Sequence, residues 1–97
     1  MASHQEIDER SLRLAHEVAR RIDRDPSLLA KVRAWADRQT APAMVEWQLI
    51  LHGSWSAIRA TLLDPTDLGK RLRQSSPFVG ILTPRERWRI YRESSSA

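Results

Sequence analysis

The sequence has no cysteine, only three glycines, and no apolar run approaching the roughly eighteen residues of a membrane-spanning helix. Without cysteine there are no disulfides, zinc–thiolate sites or cysteine nucleophiles, and a reducing compartment suits the chain. The isolated Gly53, Gly69 and Gly80 form no phosphate-cradling pattern, which excludes a Walker or dinucleotide loop. His4, His16 and His52 are scattered without clustered ligand spacing, so neither a metal nor another cofactor is expected. No segment alternates with period two, no Asn-Gly or Asp-Gly hairpin signal occurs, and there is no internal repeat. The acidic, polar start of the sequence is unlike a secretory signal, and the expected location is cytoplasmic.

What is present fits one small helical domain. Ninety-seven residues bury roughly 65% of their unfolded surface, enough for a modest single core. Trp35, Trp47, Trp55 and Trp88 are many indoles for this length, and each keeps one N–H that needs a partner when buried. The charge is uneven. Residues 1–64 carry nine basic and nine acidic side chains, so all of the +4 excess lies in residues 65–97. Fourteen of the sixteen basic residues are arginine, which suits planar, two-pronged contacts to carboxylate or phosphate.

Periodicity and punctuation predict an all-α domain of five to six short helices, with an irregular Pro/Gly-containing segment before the last. A first helix over 6–24 carries a narrow stripe of Ile7, Ser11, Leu14, Val18 and Ile22 with Ala15 beside it. Asp25-Pro26 stops it and starts a second helix over 26–38, burying Leu28, Leu29, Val32, Trp35 and Ala36. A third over 42–52 presents Met44, Trp47 and Leu51. Gly53 is the expected residue after its C-terminus, and Ser54 the cap of a fourth helix over 55–63. Asp64-Pro65-Thr66 opens a weaker fifth through residue 73, interrupted by Gly69. Thr83-Pro84-Arg85-Glu86 fits a capping box that starts a sixth helix over 84–92, with residues 94–97 fraying. Residues 1–74 are expected as the helical core and 75–97 as an apolar segment plus a basic helix.

Little here supports catalysis. The acidic residues are interleaved with arginines, as in surface ion pairs rather than acid–base dyads, so the chain is not expected to be an enzyme. His16 beside Glu17 fits a solvated surface position, and His52 before Gly53 complements a helix C-terminus. A helix-turn-helix around Gly53 fits poorly. The positions four before and six after that glycine hold Leu49 and Arg59, and Arg59 is the only basic residue of the fourth helix.

Function concentrates in the last third. Residues 75–82 hold Phe78, Val79, Ile81 and Leu82, yet Pro77 removes a backbone donor and Gly80 tolerates positive φ. Such a segment either covers its own core or lies in a partner's groove. In the terminal helix Arg85, Arg89 and Arg92 share one face, with Trp88 and Tyr91 as an aromatic edge. Arginines interleaved with aromatics suit an acidic protein cleft, a phosphate or single-stranded RNA; the alternative is that the aromatics anchor the helix to the core. The candidate partner-binding residues are Arg73, Ser75, Ser76, Pro77, Phe78, Val79, Gly80, Arg85, Trp88, Arg89, Tyr91 and Arg92.

Residues 71–92, RLRQSSPFVGILTPRERWRIYR, resemble the C-terminal signature of small helical antitoxins of bacterial type II toxin–antitoxin pairs. Residues 12–38 share only the general character. The resemblance implies a non-enzymatic inhibitor of a cognate toxin, a nucleotidyltransferase of the abortive-infection type acting on tRNA, whose nucleotide or RNA site it would occlude or remodel. The matched positions are Ser75, Ser76, Pro77, Phe78, Gly80, Thr83, Pro84, Glu86, Arg87 and Trp88. The expected partner is therefore the toxin, with a homodimer through the first helix as a further possibility and no membrane; the alternative is a small helical nucleic-acid-binding module, a promoter autoregulator or RNA binder. An arginine-rich terminus complements the carboxylates with which such an enzyme holds its metal ions.

Overall fold

Four of the other five α-helices pack against the first and longest, α1, His4–Arg24, and the remaining one packs against α2. A computed structural model describes residues 4–78 and 80–95, and the side chains of 7–78 and 80–93. After α1 come α2 (Ser27–Asp37), a 3-10 turn (Pro42–Met44), α3 (Val45–Ile50), α4 (Trp55–Leu62), α5 (Asp67–Arg73) and α6 (Pro84–Ser95). The protein is all-α, with no strand among the described residues, and none of its described helices is long and apolar enough to cross a membrane.

α1 packs against α2, α4, α5 and α6. Its buried face is Ala15, Val18, Ala19 and Ile22, where two alanines let neighbours approach closely. The buried stripe is shorter than the helix: Ile7 is half exposed. Across the core, Trp47 of α3 is fully buried. Its indole N–H donates to the Leu72 carbonyl at 2.8 Å, giving the buried donor its partner.

The helix starts follow the local chemistry. Ser54 Oγ accepts from Ala57 N at 3.2 Å, and the Thr83/Glu86 capping box closes from both sides, at 3.0 and 3.1 Å. Asp25 Oδ1 accepts from Ser27 N at 3.2 Å ahead of α2. The region expected as one helix over 42–52 instead opens as a 3-10 turn, since Pro42 leads it, and becomes α-helical only at Val45. α6 runs to Ser95, three residues past the expected end.

The helix ends do not follow the expectation. No described glycine or other residue has positive φ, so Gly53 forms no left-handed cap and Gly80 no left-handed turn. Long side chains from other elements satisfy the terminal carbonyls instead. Gln48 Nε2 donates to Ala36 O and Gln39 O beyond α2, at 2.8 and 3.0 Å. Arg33 donates to Leu51 O and Gly53 O beyond α3, at 2.8 and 3.1 Å. Arg73 Nη1 donates to Leu62 O and Asp64 O beyond α4, at 3.0 and 2.6 Å. Each pair of bonds serves carbonyls at a helix end and fixes one element on another. Gly69 likewise does not interrupt α5: a Cβ there would lie 1.9 Å from Asp64 O, so glycine permits close contact with the α4–α5 connection.

Of the two alternatives for residues 75–82, the described residues take the first: Phe78 and Leu82 cover the protein's own core. The segment is not an unpaired apolar strip. Ser75 and Ser76 N–H donate to Leu72 O and Arg73 O, Phe78 N–H donates to Ser76 Oγ, and Ile81 N–H to Phe78 O. These turns carry Phe78 and Leu82 into the same cluster as Val18, Ile22, Trp47 and Ile90.

Candidate partner-binding surface

α6 divides its side chains by helical position. Glu86, Arg87, Ile90 and Tyr91 turn toward the rest of the molecule; Arg85, Trp88, Arg89 and Arg92 turn to solvent. The inner set is held by α1. Ile90 is buried, the Arg10 guanidinium lies 5.7 Å from the centre of the Tyr91 ring, and Arg21 pairs with Glu86. Because Glu86 also closes the capping box, one carboxylate starts the helix and docks it.

With the inner face fixed, the outer face follows from 3.6-residue periodicity. Residues 85, 88, 89 and 92 are separated by three or four positions and so adjoin across two turns. Trp88 is 63% exposed. None of Arg85, Arg89 and Arg92 has a carboxylate within 4.0 Å among the described residues, unlike the paired arginines 20, 21, 59 and 71. Like charges at these spacings repel by about 0.2–0.5 kcal/mol per pair, a cost that an acidic partner would turn into attraction. The exposed indole supplies the large, rigid contact area typical of interface anchors.

The structure brings together four of the sequence-predicted site residues, Arg85, Trp88, Arg89 and Arg92, and separates the others. Arg73 is 7% exposed and caps α4, so its guanidinium is not on the surface. Pro77 and Phe78 are buried, Phe78 edge-on against Trp47. Tyr91 belongs to the inner face, so the aromatic edge expected of Trp88 and Tyr91 is split between the two sides of α6. Ser75 and Ser76 are half-buried, with Ser76 Oγ occupied by Phe78 N–H. Gly80 is exposed, and Val79 lies outside the described residues.

A second surface feature was missed in the sequence, where Trp35 was assigned wholly to the core. Trp35 is only half-buried and, with Pro77, Gly80 and Ile81, lines an open groove of about 400 Å³ flanked by Lys31 and Arg38. Its signal was legible: Lys31, Trp35 and Arg38 stand at spacings of four and three, the cation–aromatic–cation pattern that α6 repeats with Arg85, Trp88 and Arg92. Gly80 has no steric need to be glycine, since a Cβ there meets nothing within 4 Å. The fourth helix, tested as a recognition helix, has its one arginine engaged: Arg59 binds Asp23 of α1, which also accepts from the Trp55 indole at 2.8 Å.

Among the described residues, no group of three or more His, Cys, Asp or Glu is placed to hold a metal ion. The molecule is thus a small all-helical domain with a cation–aromatic face on its last helix. Comparison with known protein families, with curated proteins and with solved structures finds no match to this chain.

Proposed function

We propose that the protein is a non-enzymatic inhibitor of the antitoxin type, which binds a cognate toxin through the outer face of α6. One observation carries the proposal: an exposed Trp88 set among three arginines that have no carboxylate partner among the described residues, on a helix anchored at its start and along its inner face. Such a face suits an acidic cleft, where desolvation strengthens each guanidinium–carboxylate contact and the indole fills an apolar recess. The resemblance of residues 71–92 to antitoxin termini points to the same partner, a nucleotidyltransferase whose metal-holding carboxylates form such a cleft. Phe78 and Pro77 contribute by fixing where α6 begins rather than by touching the toxin.

The test is co-purification with the product of the adjacent open reading frame, followed by titration calorimetry with variants. Trp88→Ala is expected to weaken the complex by roughly thirtyfold or more, the scale of an anchor truncation. Arg85→Glu combined with Arg89→Glu should abolish binding while leaving the melting temperature unchanged. A complex indifferent to both variants removes the proposal. The same face would also serve nucleic acid, and salt separates the two. Three arginine–phosphate contacts predict a slope of log K against log salt near −0.9 per contact for duplex DNA.

A further inference from the structure

Arg73 is a buried cation without a counter-ion. It is 7% exposed, and no carboxylate approaches its guanidinium within 4.0 Å among the described residues. Nη1 is spent on the carbonyls of Leu62 and Asp64, and Nε is sealed from solvent with no acceptor among the described residues. The carboxylates of Asp64 and Asp8 favour its charge only from beyond ion-pair distance, and Asp8 already faces Lys70 at 3.7 Å. A buried charge left in this condition is costly unless something anionic completes it.

Beside it is space. A cavity of about 160 Å³, partly open to solvent, lies between α1, α5, the connection after α5 and α6, and Arg73 is one of its walls. Arg87, on the inner face of α6, is another, and it too has no carboxylate partner among the described residues. The hydroxyl-bearing Ser11 and Ser76 also line the space; Ser76 Oγ accepts from Phe78 N–H and keeps its own hydrogen to donate. Apart from Tyr91, the remaining wall is apolar, including Val18, Leu62, Phe78 and Leu82. Cavities of about 150 Å³ admit a molecule the size of benzene.

Cationic and apolar walls in one small space select for an amphipathic anion. A guanidinium fork matches a carboxylate in plane and spacing. An inorganic phosphate would satisfy the cations but would have to shed water against the apolar wall with no return. We propose that this cavity is a binding site for a small carboxylate with a short apolar body. The carboxylate bonds the Arg87 guanidinium and lies within the field of the buried Arg73 charge, and the body lies against Phe78 and Leu82. The site is distinct from the outer face of α6, because Arg87 points inward while Arg85, Trp88, Arg89 and Arg92 point out. Occupancy would tie α1, α5 and α6 together, since each contributes a wall.

The experiment uses the full chain with sodium butyrate as probe, read by thermal unfolding and by amide shifts in two-dimensional NMR. Butyramide and sodium phosphate at matched ionic strength are the comparators. Butyrate is expected to raise the melting temperature with a saturable dependence on concentration and to shift the amides of Phe78 and Leu82. Butyramide, lacking the charge, and phosphate, lacking the apolar body, should do neither. Arg87→Gln should weaken butyrate by about tenfold or more, the scale of one charge-assisted hydrogen bond. Ser11→Val, which narrows the cavity without touching a guanidinium, should weaken it as well. Butyrate without effect overturns the site. Equal effects of butyramide or phosphate overturn the assigned ligand class, and butyrate affinity unchanged in both variants overturns the location.

Discussion

Trp47 and Phe78 meet edge to face, their ring centroids 5.6 Å apart and their planes 79° from one another, and both are essentially without solvent exposure. The pair joins α3 to the connection before α6, across 31 residues of chain. It turns Phe78 from a candidate partner anchor into a keystone of the protein's own core. The Trp47 N–H···Leu72 bond fixes the indole's other end, so the ring has one place to be.

Phe78→Ala should therefore destabilise the fold by about 3–5 kcal/mol, the cost of deleting a buried aromatic ring and leaving a cavity. That is a large share of the 5–15 kcal/mol typical of a whole domain. Urea unfolding followed by tryptophan fluorescence measures it. A loss below about 1 kcal/mol would mean that Phe78 is not packed as described.

Glu86 holds α6 at two points, through Thr83 N–H and through Arg21. Glu86→Ala is expected to cost about 1–2 kcal/mol, the scale of a lost cap together with a partly exposed ion pair. Thr83→Ala should cost about 1 kcal/mol. Amide exchange should quicken in α6 first and in α1 least. Uniform acceleration through the chain would contradict a local anchoring role.

The glycines separate cleanly. Gly69→Ala places a Cβ 1.9 Å from the Asp64 carbonyl oxygen, so α5 must retreat, at a cost of about 1–3 kcal/mol or more. Gly80→Ala meets nothing and its φ is not positive, so it should stabilise by about 0.4–1 kcal/mol through the unfolded chain. Melting temperatures of the two variants should move in opposite directions.

Stability should fall as the solution is acidified, in two windows. The His16 ring is held below its ordinary 6.5, first by desolvation and then by the guanidiniums of Arg20, Arg59 and Arg73. The unfolded chain thus binds this proton more readily, and the contribution is complete above 6.5 and lost as pH falls through the lowered value. The carboxyls of Glu17, Asp23, Glu46 and Asp64 are also lowered, chiefly by hydrogen bonds from Arg20, Trp55, Arg71 and Thr66 respectively. Their window has the same sign and opens near pH 4. Urea midpoints from pH 3 to 8 should show both declines. His16→Gln should remove the upper one and Asp23→Asn should soften the lower.

Local signals located most of the helices because they are local physics. Ser54 and the Thr83–Glu86 box cap as their residue types require, and the outer face of α6 follows from spacing once one face is buried. The ends were illegible for the opposite reason. Gln48, Arg33 and Arg73 cap helices far from themselves in sequence, and nothing beside Gly53 in the chain announces that its carbonyl is served by Arg33.

The sequence alone determined the helical class, the capped helix starts at Ser54 and Thr83, and the concentration of positive charge toward its C-terminal end, because each depends on neighbours within a turn or two. Tertiary packing decided which side of the Pro77–Arg92 stretch faces the molecule. Burial against Trp47 took Phe78 inward, and Arg10 and Arg21 of α1 held Tyr91 and Glu86 on the inner side. Only then did Arg85, Trp88, Arg89 and Arg92 become one exposed surface. An amphipathic pattern defines two faces of a helix, but only the elements packed against it select which is buried.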